Sequence, residues 1–170
     1  MGGPADEPVE VVDESGRVLR VAPRSRVRAE NLWHRNVAVV VRRSSGAIVA
    51  HRRADWKDVH PSLWDLAFGG VPGVGEDDLT AAVRELAEEA GLEVDPGDLA
   101  ELGRATSDDE FTRWVGRYFI VTTDAALHPA DGEVAEMVEV PIADLEAWIA
   151  ATPLCPDVAP LLGLVRDALT

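Results

Sequence analysis

Glu85, Glu88 and Glu89 stand three and four residues apart in the run LTAAVRELAEEAGL, and on a helix those spacings bring the carboxylates within a few ångströms of one another. Like charges so close repel, so the trio adds nothing to helix stability, and a divalent cation would resolve the repulsion. Mg²⁺ and Mn²⁺ take hard oxygen ligands, keep several waters and bind substrate phosphates, which suits a few carboxylates on one rigid face. Arg84 lies four residues before Glu88 and can orient the cluster.

The helix that must carry them is marked at both ends. Pro72, Gly73 and Gly75 are turn signals, Asp77 or Asp78 can cap the first turn, and Gly91 supplies the stop. At about 100° per residue, Leu79, Ala82, Val83, Leu86 and Ala90 share one apolar face, with the glutamates beside it. Ahead of the helix, residues 36–42 (NVAVVVR) read as a buried strand, residues 47–53 as a second, and residues 63–68 as a short strand ending at Gly69 and Gly70.

The remaining elements frame this unit. Residues 1–8 read as a disordered lead, 9–12 and 17–21 as a hairpin extension reaching to residue 30, and 23–30 as a short basic helix or loop. After the acidic helix come strands near 99–105, 112–122 and 136–140, with an acidic loop at 107–110 and a turn at 129–132. Pro141 opens a helix over 142–150, and an amphipathic helix over 158–169 closes the chain. Mixed strands with helices before and after them predict an α/β fold in which helices cover both faces of a mixed sheet.

At 170 residues the chain is predicted to be one domain with its own core. The single cysteine, Cys155, excludes an internal disulfide and fits a reducing compartment, where it reads as structural. The opening MGGPADEPVE has no basic region followed by an apolar run, and no run of eighteen apolar residues occurs, which predicts a cytoplasmic protein. A net charge of −15 argues against duplex nucleic acid and anionic membranes as partners, though not against a small phosphorylated substrate met by local arginines. Arg17, Arg20, Arg24, Arg26, Arg28 and Arg35 crowd the first part of the chain, and every basic residue except Lys57 is arginine, a bias that reads as genome composition.

The same stretch, residues 70–92, fits G-x5-E-x7-R-E-U-x-E-E-x-G-U, with U apolar, at Gly70, Glu76, Arg84, Glu85, Leu86, Glu88, Glu89, Gly91 and Leu92. This resembles the box of the Nudix hydrolases. The resemblance implies an α/β/α sandwich with a central mixed β-sheet and a Mg²⁺- or Mn²⁺-dependent hydrolase that splits a pyrophosphate linkage, usually in a nucleoside diphosphate derivative. Carried over by position, Glu85, Glu88 and Glu89 look like metal ligands, joined by the backbone carbonyl of Gly69. Arg84 looks like the residue that holds them, and Gly70, Glu76 and Gly91 look structural. The general base varies across the family; Glu133 and Glu136 on a late loop are candidates, as is Glu85. Arg52, Arg53 and Lys57 are placed to meet a distal phosphate, and homodimers are common among resembling proteins.

A softer resemblance covers most of the chain. VVDESGRVLRVAPRSRVRAENLWHRNVAVVV and HPSLWDLAFGG look like the branch that holds isopentenyl diphosphate isomerase and related bacterial hydrolases. His34 matches a metal-binding histidine of the isomerases, but with most of that site missing it reads as a packed or hydrogen-bonded histidine, and otherwise as a substrate contact. However, Gly69 stands where they carry a catalytic cysteine, Val71 where they carry a histidine ligand, and of two late glutamates only Glu110 remains, with Thr112 at the other position. The isomerase reading therefore ranks behind the hydrolase. A Nudix-fold binding module without turnover is the other alternative, but such modules typically lose box glutamates, and here all are kept. Trp33, Trp56, Trp64 and Trp114 are candidates for stacking on a base, and Trp148 reads as core. His51, His60 and His128 show no ligand spacing and receive no role.

Overall fold

A computed structural model describes residues 6–169, without the side chain of Leu169. In chain order the elements are β1 (Pro8–Val12), β2 (Val18–Pro23), α1 (Arg24–Ala29), β3 (Trp33–Arg42), β4 (Ile48–Arg53), β5 (Trp64–Asp65), β6 (Phe68–Gly70), α2 (Asp78–Ala90), β7 (Ala100–Asp108), β8 (Arg113–Thr122), β9 (Val134–Val140), α3 (Leu145–Ala151) and α4 (Val158–Leu169). Residues 1–5 of the expected lead lie outside the described residues. Its end is ordered: Pro8 already opens β1, and the Glu7 carbonyl accepts from the Arg24 amide at 2.8 Å.

The valine-rich strand β3 is the axis of the sheet. It pairs in parallel with β8 from Trp33↔Arg113 to Arg42↔Thr122, and antiparallel with β6 through Val37↔Gly70, Ala38↔Gly69 and Val39↔Phe68. β7 extends the sheet beyond β8, while β4 carries β5 and β9. Because side chains alternate along a strand, Val37, Val39 and Val41 face one way and pack with Ala82, Leu86 and Ala90 of α2. Ala38 and Val40 face the other way, among Trp114, Tyr118, Leu145, Val158, Leu161 and Val165. The mixed sheet therefore has α2 on one face and α3 with α4 on the other, the predicted α/β/α sandwich. Full burial of a leucine such as Leu86 contributes about 1.5–3 kcal/mol, so this apolar seam fixes how the acidic edge of α2 is presented.

β1 and β2 form an antiparallel hairpin whose inner residues Val9, Val11 and Ala22 pack with Val27 of α1. Residues 23–30 are thus mostly helix, the option left open beside a loop. Three other segments depart from expectation. The strand expected over 63–68 is split, because Asp65 Oδ1 accepts the amides of Leu66 and Ala67 and turns the chain between β5 and β6. The acidic loop expected over 107–110 is shorter, since pairing of Ser107 with Trp114 and Asp108 with Arg113 extends β7. The helix after Pro141 begins as a single 3₁₀ turn before α3. Among the described residues no helix is long and apolar enough to cross a membrane.

Candidate active site

Helix α2 is held at both ends by the residues expected to do so. Asp77 is the cap, accepting from the Thr80 amide at 3.0 Å, while Asp78 instead meets Arg35 at 2.5 Å. Gly91 adopts the left-handed conformation at φ 61°, and its amide donates to the Ala87 carbonyl at 3.1 Å. A β-carbon there would lie 2.1 Å from the His128 carbonyl oxygen, so the position excludes any side chain.

Arg84 organises the acidic face. Its Nε and Nη2 donate to the two oxygens of Glu76 at 3.0 and 2.9 Å, and its Nη1 reaches Glu85 at 2.7 Å and Glu88 at 3.2 Å. Glu76 also accepts the Gly73 amide at 2.7 Å, which ties the loop to the helix. Glu89 lies deepest, 7 % exposed, and accepts the Gly69 amide at 2.8 Å. Gly70 provides room for Glu85: a β-carbon on it would lie 2.7 Å from the Glu85 carboxylate.

The electrostatics set these carboxylates apart from ordinary surface groups. Burial raises the pKa of Glu85, against the pull of Arg84, and raises that of Glu89 well above its usual value, with the Glu85 charge adding to the effect. Glu133, just ahead of β9, lines the same cavity as Glu89, and each shifts the other's ionisation. Its own pKa is lowered, because burial is outweighed by the hydrogen bond and charge of Lys57 with help from Glu89. Lys57 contacts Glu133 directly, and the Ala54 amide donates to the Glu133 carbonyl at 2.8 Å, which fixes the loop against the end of β4. Glu85, Glu88, Glu89 and Glu133 thus line one cavity as oxygen donors, two of them with ionisation suppressed, although no three of them converge within 4.8 Å. That donor chemistry fits a hard divalent cation.

These groups line a cavity of about 390 Å³. Among the predicted contacts, His34, Arg53, Lys57, Gly69 and Gly70 also line it, whereas Arg52 does not and pairs with Glu136 at 3.2 Å. Glu136 pairs with Arg52 outside the cavity, so of the three candidate bases Glu85 and Glu133 line it and Glu136 does not. His34 Nδ1 lies 3.1 Å from the Leu32 carbonyl oxygen, and burial lowers its pKa, which keeps the ring neutral. Of the tryptophans proposed for stacking, only Trp114 lines the cavity; Trp64 packs edge-on against Trp148 at 5.6 Å, in agreement with a packing role for Trp148. Cys155 is buried, and burial pushes its thiol pKa far up, so it is inert.

Sequence reasoning missed two parts of the cavity. Arg24 and Arg28 of α1 form a basic wall, set apart from Arg26, which turns outward to Glu30. The i, i+4 spacing of Arg24 and Arg28 was the available signal, and it was read as composition. At the other end lie Asp65, Asp157, Trp114 and Tyr118. Burial raises the pKa of Asp65 to about 6 and raises that of Asp157 as well.

Comparison with known proteins agrees with this geometry. The family model for the NUDIX domain matches residues 32–162. A Pseudomonas aeruginosa protein named as a Nudix hydrolase is 35 % identical over 159 residues, covering 92 % of each chain. A Streptomyces coelicolor protein named in the same way is 35 % identical over 153 residues, covering 90 % of this chain and 84 % of its own. Among solved structures, DR0079 from Deinococcus radiodurans superposes with a TM-score of 0.75 at 24 % identity, covering 95 % of this chain and 98 % of its own. The NUDIX domain of Shewanella oneidensis NrtR, solved in complex with ADP ribose, gives a TM-score of 0.63 at 19 % identity, covering 79 % of this chain and 87 % of that one. At those identities the two structures establish a shared fold.

Proposed function

Because the chain belongs to the Nudix hydrolases, enzymes that act on phosphorus-containing anhydrides, we propose that it splits the pyrophosphate linkage of a nucleoside diphosphate derivative or a similar small organic pyrophosphate. We assign Mg²⁺ or Mn²⁺ to Glu85, Glu88 and Glu89 with the Gly69 carbonyl. When bound, the ion neutralises phosphate oxygens and lowers the pKa of a water. The observation that carries the reading is the meeting of opposite charges in one cavity: the suppressed carboxylates of α2 and Glu133 line it together with Arg24, Arg28, Arg53 and Lys57. A diphosphate bridges the two.

In this reading Arg24, Arg28 and Arg53 bind the phosphate oxygens, while neutral His34, its Nδ1–H committed to the Leu32 carbonyl, presents Nε2 as an acceptor for a substrate hydroxyl. Glu133 is the general base: Lys57 keeps it ionised, and it accepts a proton from the water as the water oxygen bonds to phosphorus and the bridging P–O bond breaks. Arg84 holds Glu85 and Glu88 in place without touching substrate, and Gly70, Glu76 and Gly91 keep the loop and helix in register. Residues 1–170 act as one domain with the hairpin as an extension. The protein works in the cytoplasm on a small phosphorylated substrate, with no nucleic-acid polymer or membrane as partner. The exposed edge strand β2, with Val18, Leu19 and Val21 outward, is where a second copy would pair in a homodimer.

The test is phosphate release from nucleoside diphosphate derivatives, nucleotide sugars, dinucleoside polyphosphates and prenyl diphosphates, with Mg²⁺ or Mn²⁺ and with Glu89→Gln as control. Metal-dependent release that the substitution abolishes supports the hydrolase. Ligand binding without release across the panel would sink it and favour the binding module.

A further inference from the structure

We propose that His60, Asp109 and Asp157 form a second divalent-cation site, separate from the α2 glutamates, that takes an ion such as Zn²⁺ in preference to Mg²⁺ and clamps the segments closing the deep end of the cavity. One ligand atom from each lies within 4.8 Å of the others. The three come from different parts of the chain: the connection between β4 and β5, the loop between β7 and β8, and the entry to α4.

The carboxylates are oriented as ligands are. Asp109 Oδ1 accepts the amides of Phe111 and Thr112, each at 2.7 Å, and Asp157 Oδ1 accepts the indole N–H of Trp114 at 3.2 Å. Trp114 is itself buried, 2 % exposed. Hydrogen bonds of this kind hold metal-binding groups in place. What they leave over is the informative part: Asp109 Oδ2 and His60 Nε2 are both buried and have no hydrogen-bond partner. Solvent does not reach these atoms, and they do not satisfy each other. Orphaned buried atoms that converge on one point indicate a bound group.

The donor set decides the kind of ion. An imidazole nitrogen with two carboxylate oxygens suits Zn²⁺, which accepts three protein ligands and leaves a fourth position open. Mg²⁺ prefers oxygen alone. Asp157, Phe111 and Thr112 also line the cavity, so an ion here fixes that wall. His60, which its spacing in the sequence left without a role, acquires one through the fold.

The experiment titrates Zn²⁺ calorimetrically into the EDTA-stripped full-length protein in excess Mg²⁺, comparing wild type, His60→Ala, Asp109→Asn and Glu89→Gln. One Zn²⁺ equivalent is expected in wild type and in Glu89→Gln, and binding weaker by about tenfold or more in the other two. Zn²⁺ should raise the melting temperature of wild type and leave that of Asp109→Asn unchanged. Circular dichroism checks the fold of each variant, and the near-isosteric Asp109→Asn serves if His60→Ala does not fold. Undiminished Zn²⁺ binding in Asp109→Asn, loss of Zn²⁺ in Glu89→Gln alone, or no Zn²⁺ binding by wild type would each overturn the site.

Discussion

Glu89 and Glu133 line the same cavity, and the charge of Glu133 helps to raise the pKa of Glu89, so a residue from the acidic helix and one from a late loop act on each other there. Lys57 contacts the far side of Glu133, whereas Glu136, three residues on, is turned to Arg52 at the surface. Glu133→Gln is expected to lower kcat by roughly 10²–10⁴-fold, the range of a general base. Glu136→Gln should stay within about twofold of wild type, since it perturbs one exposed ion pair. Steady-state kinetics on the pair decides the assignment, and equal effects would refute it.

The elevated pKa of Glu89 predicts how the metal-free protein responds to pH. The folded chain holds this proton more tightly than the unfolded one. Above the ordinary value of 4.5 the unfolded chain has released it while the fold retains it, so stability falls as pH rises toward the elevated folded value and then levels off. Glu85, also raised, acts in the same direction. Buried His51, with its pKa lowered to about 3, acts in the opposite direction up to its ordinary value of 6.5, so the readout is the difference. Above about pH 5 the melting temperature in EDTA should lose more, or gain less, with rising pH in wild type than in Glu89→Gln. In the metal-bound enzyme the same substitution should reduce turnover by roughly 10³-fold, as expected for losing an electrostatic contact to the reacting group.

Adjacent glycines should fail in different ways. A β-carbon at Gly70 meets only the end of the flexible Glu85 side chain, which can swing aside. Gly70→Ala should therefore fold and melt near wild type while activity drops by about 10²-fold. At Gly69 the added carbon would lie 2.0 Å from the Val37 carbonyl oxygen inside the β3–β6 ladder, so Gly69→Ala should cost at least about 1–3 kcal/mol of stability by overpacking. Denaturant melts and activity on both variants separate the two effects.

The basic wall of α1 should appear in substrate affinity. Arg24→Ala and Arg28→Ala are each expected to raise KM by about tenfold, near 1.4 kcal/mol, with kcat little changed. Arg52→Ala, outside the cavity, should leave KM unaltered. A fall in kcat with unchanged KM in the α1 variants would assign those arginines to the chemical step.

Which parts of this arrangement could be read in advance depended on how local their causes are. The ends of α2 were legible because Asp77 and Gly91 act on their own helix, and β3 because a run of valines leaves little choice. The base could be narrowed to Glu133, Glu136 and Glu85 but not chosen, because the placement of the two late residues depends on the register of β9 against β4, with an irregularity between Arg52 and Arg53. The helical state of α1 was ambiguous because it starts at Pro23 with no side-chain cap. Its place over the cavity comes from packing of Val27 on Val9, Val11 and Ala22 of the preceding hairpin, a tertiary contact that helix signals alone do not reveal. The split of the strand before the box turned on one aspartate accepting the next two backbone amides, a local alternative to the ladder that an apolar run does not announce.

Glu10 on β1 joins Arg35 at 2.8 Å and the Gly75 amide at 2.9 Å, and Arg35 in turn holds the Glu76 carbonyl at 2.9 Å. Through this one acid the hairpin is latched to the loop that starts the catalytic helix, while α1 beside it supplies a wall of the cavity. In the proposed reading the labour is divided along the chain: the helix side carries the bond-breaking groups, and the hairpin side is the faceplate that meets the ligand. Descendants that replaced the first thirty residues while preserving the latch would inherit the reaction and acquire a new clientele.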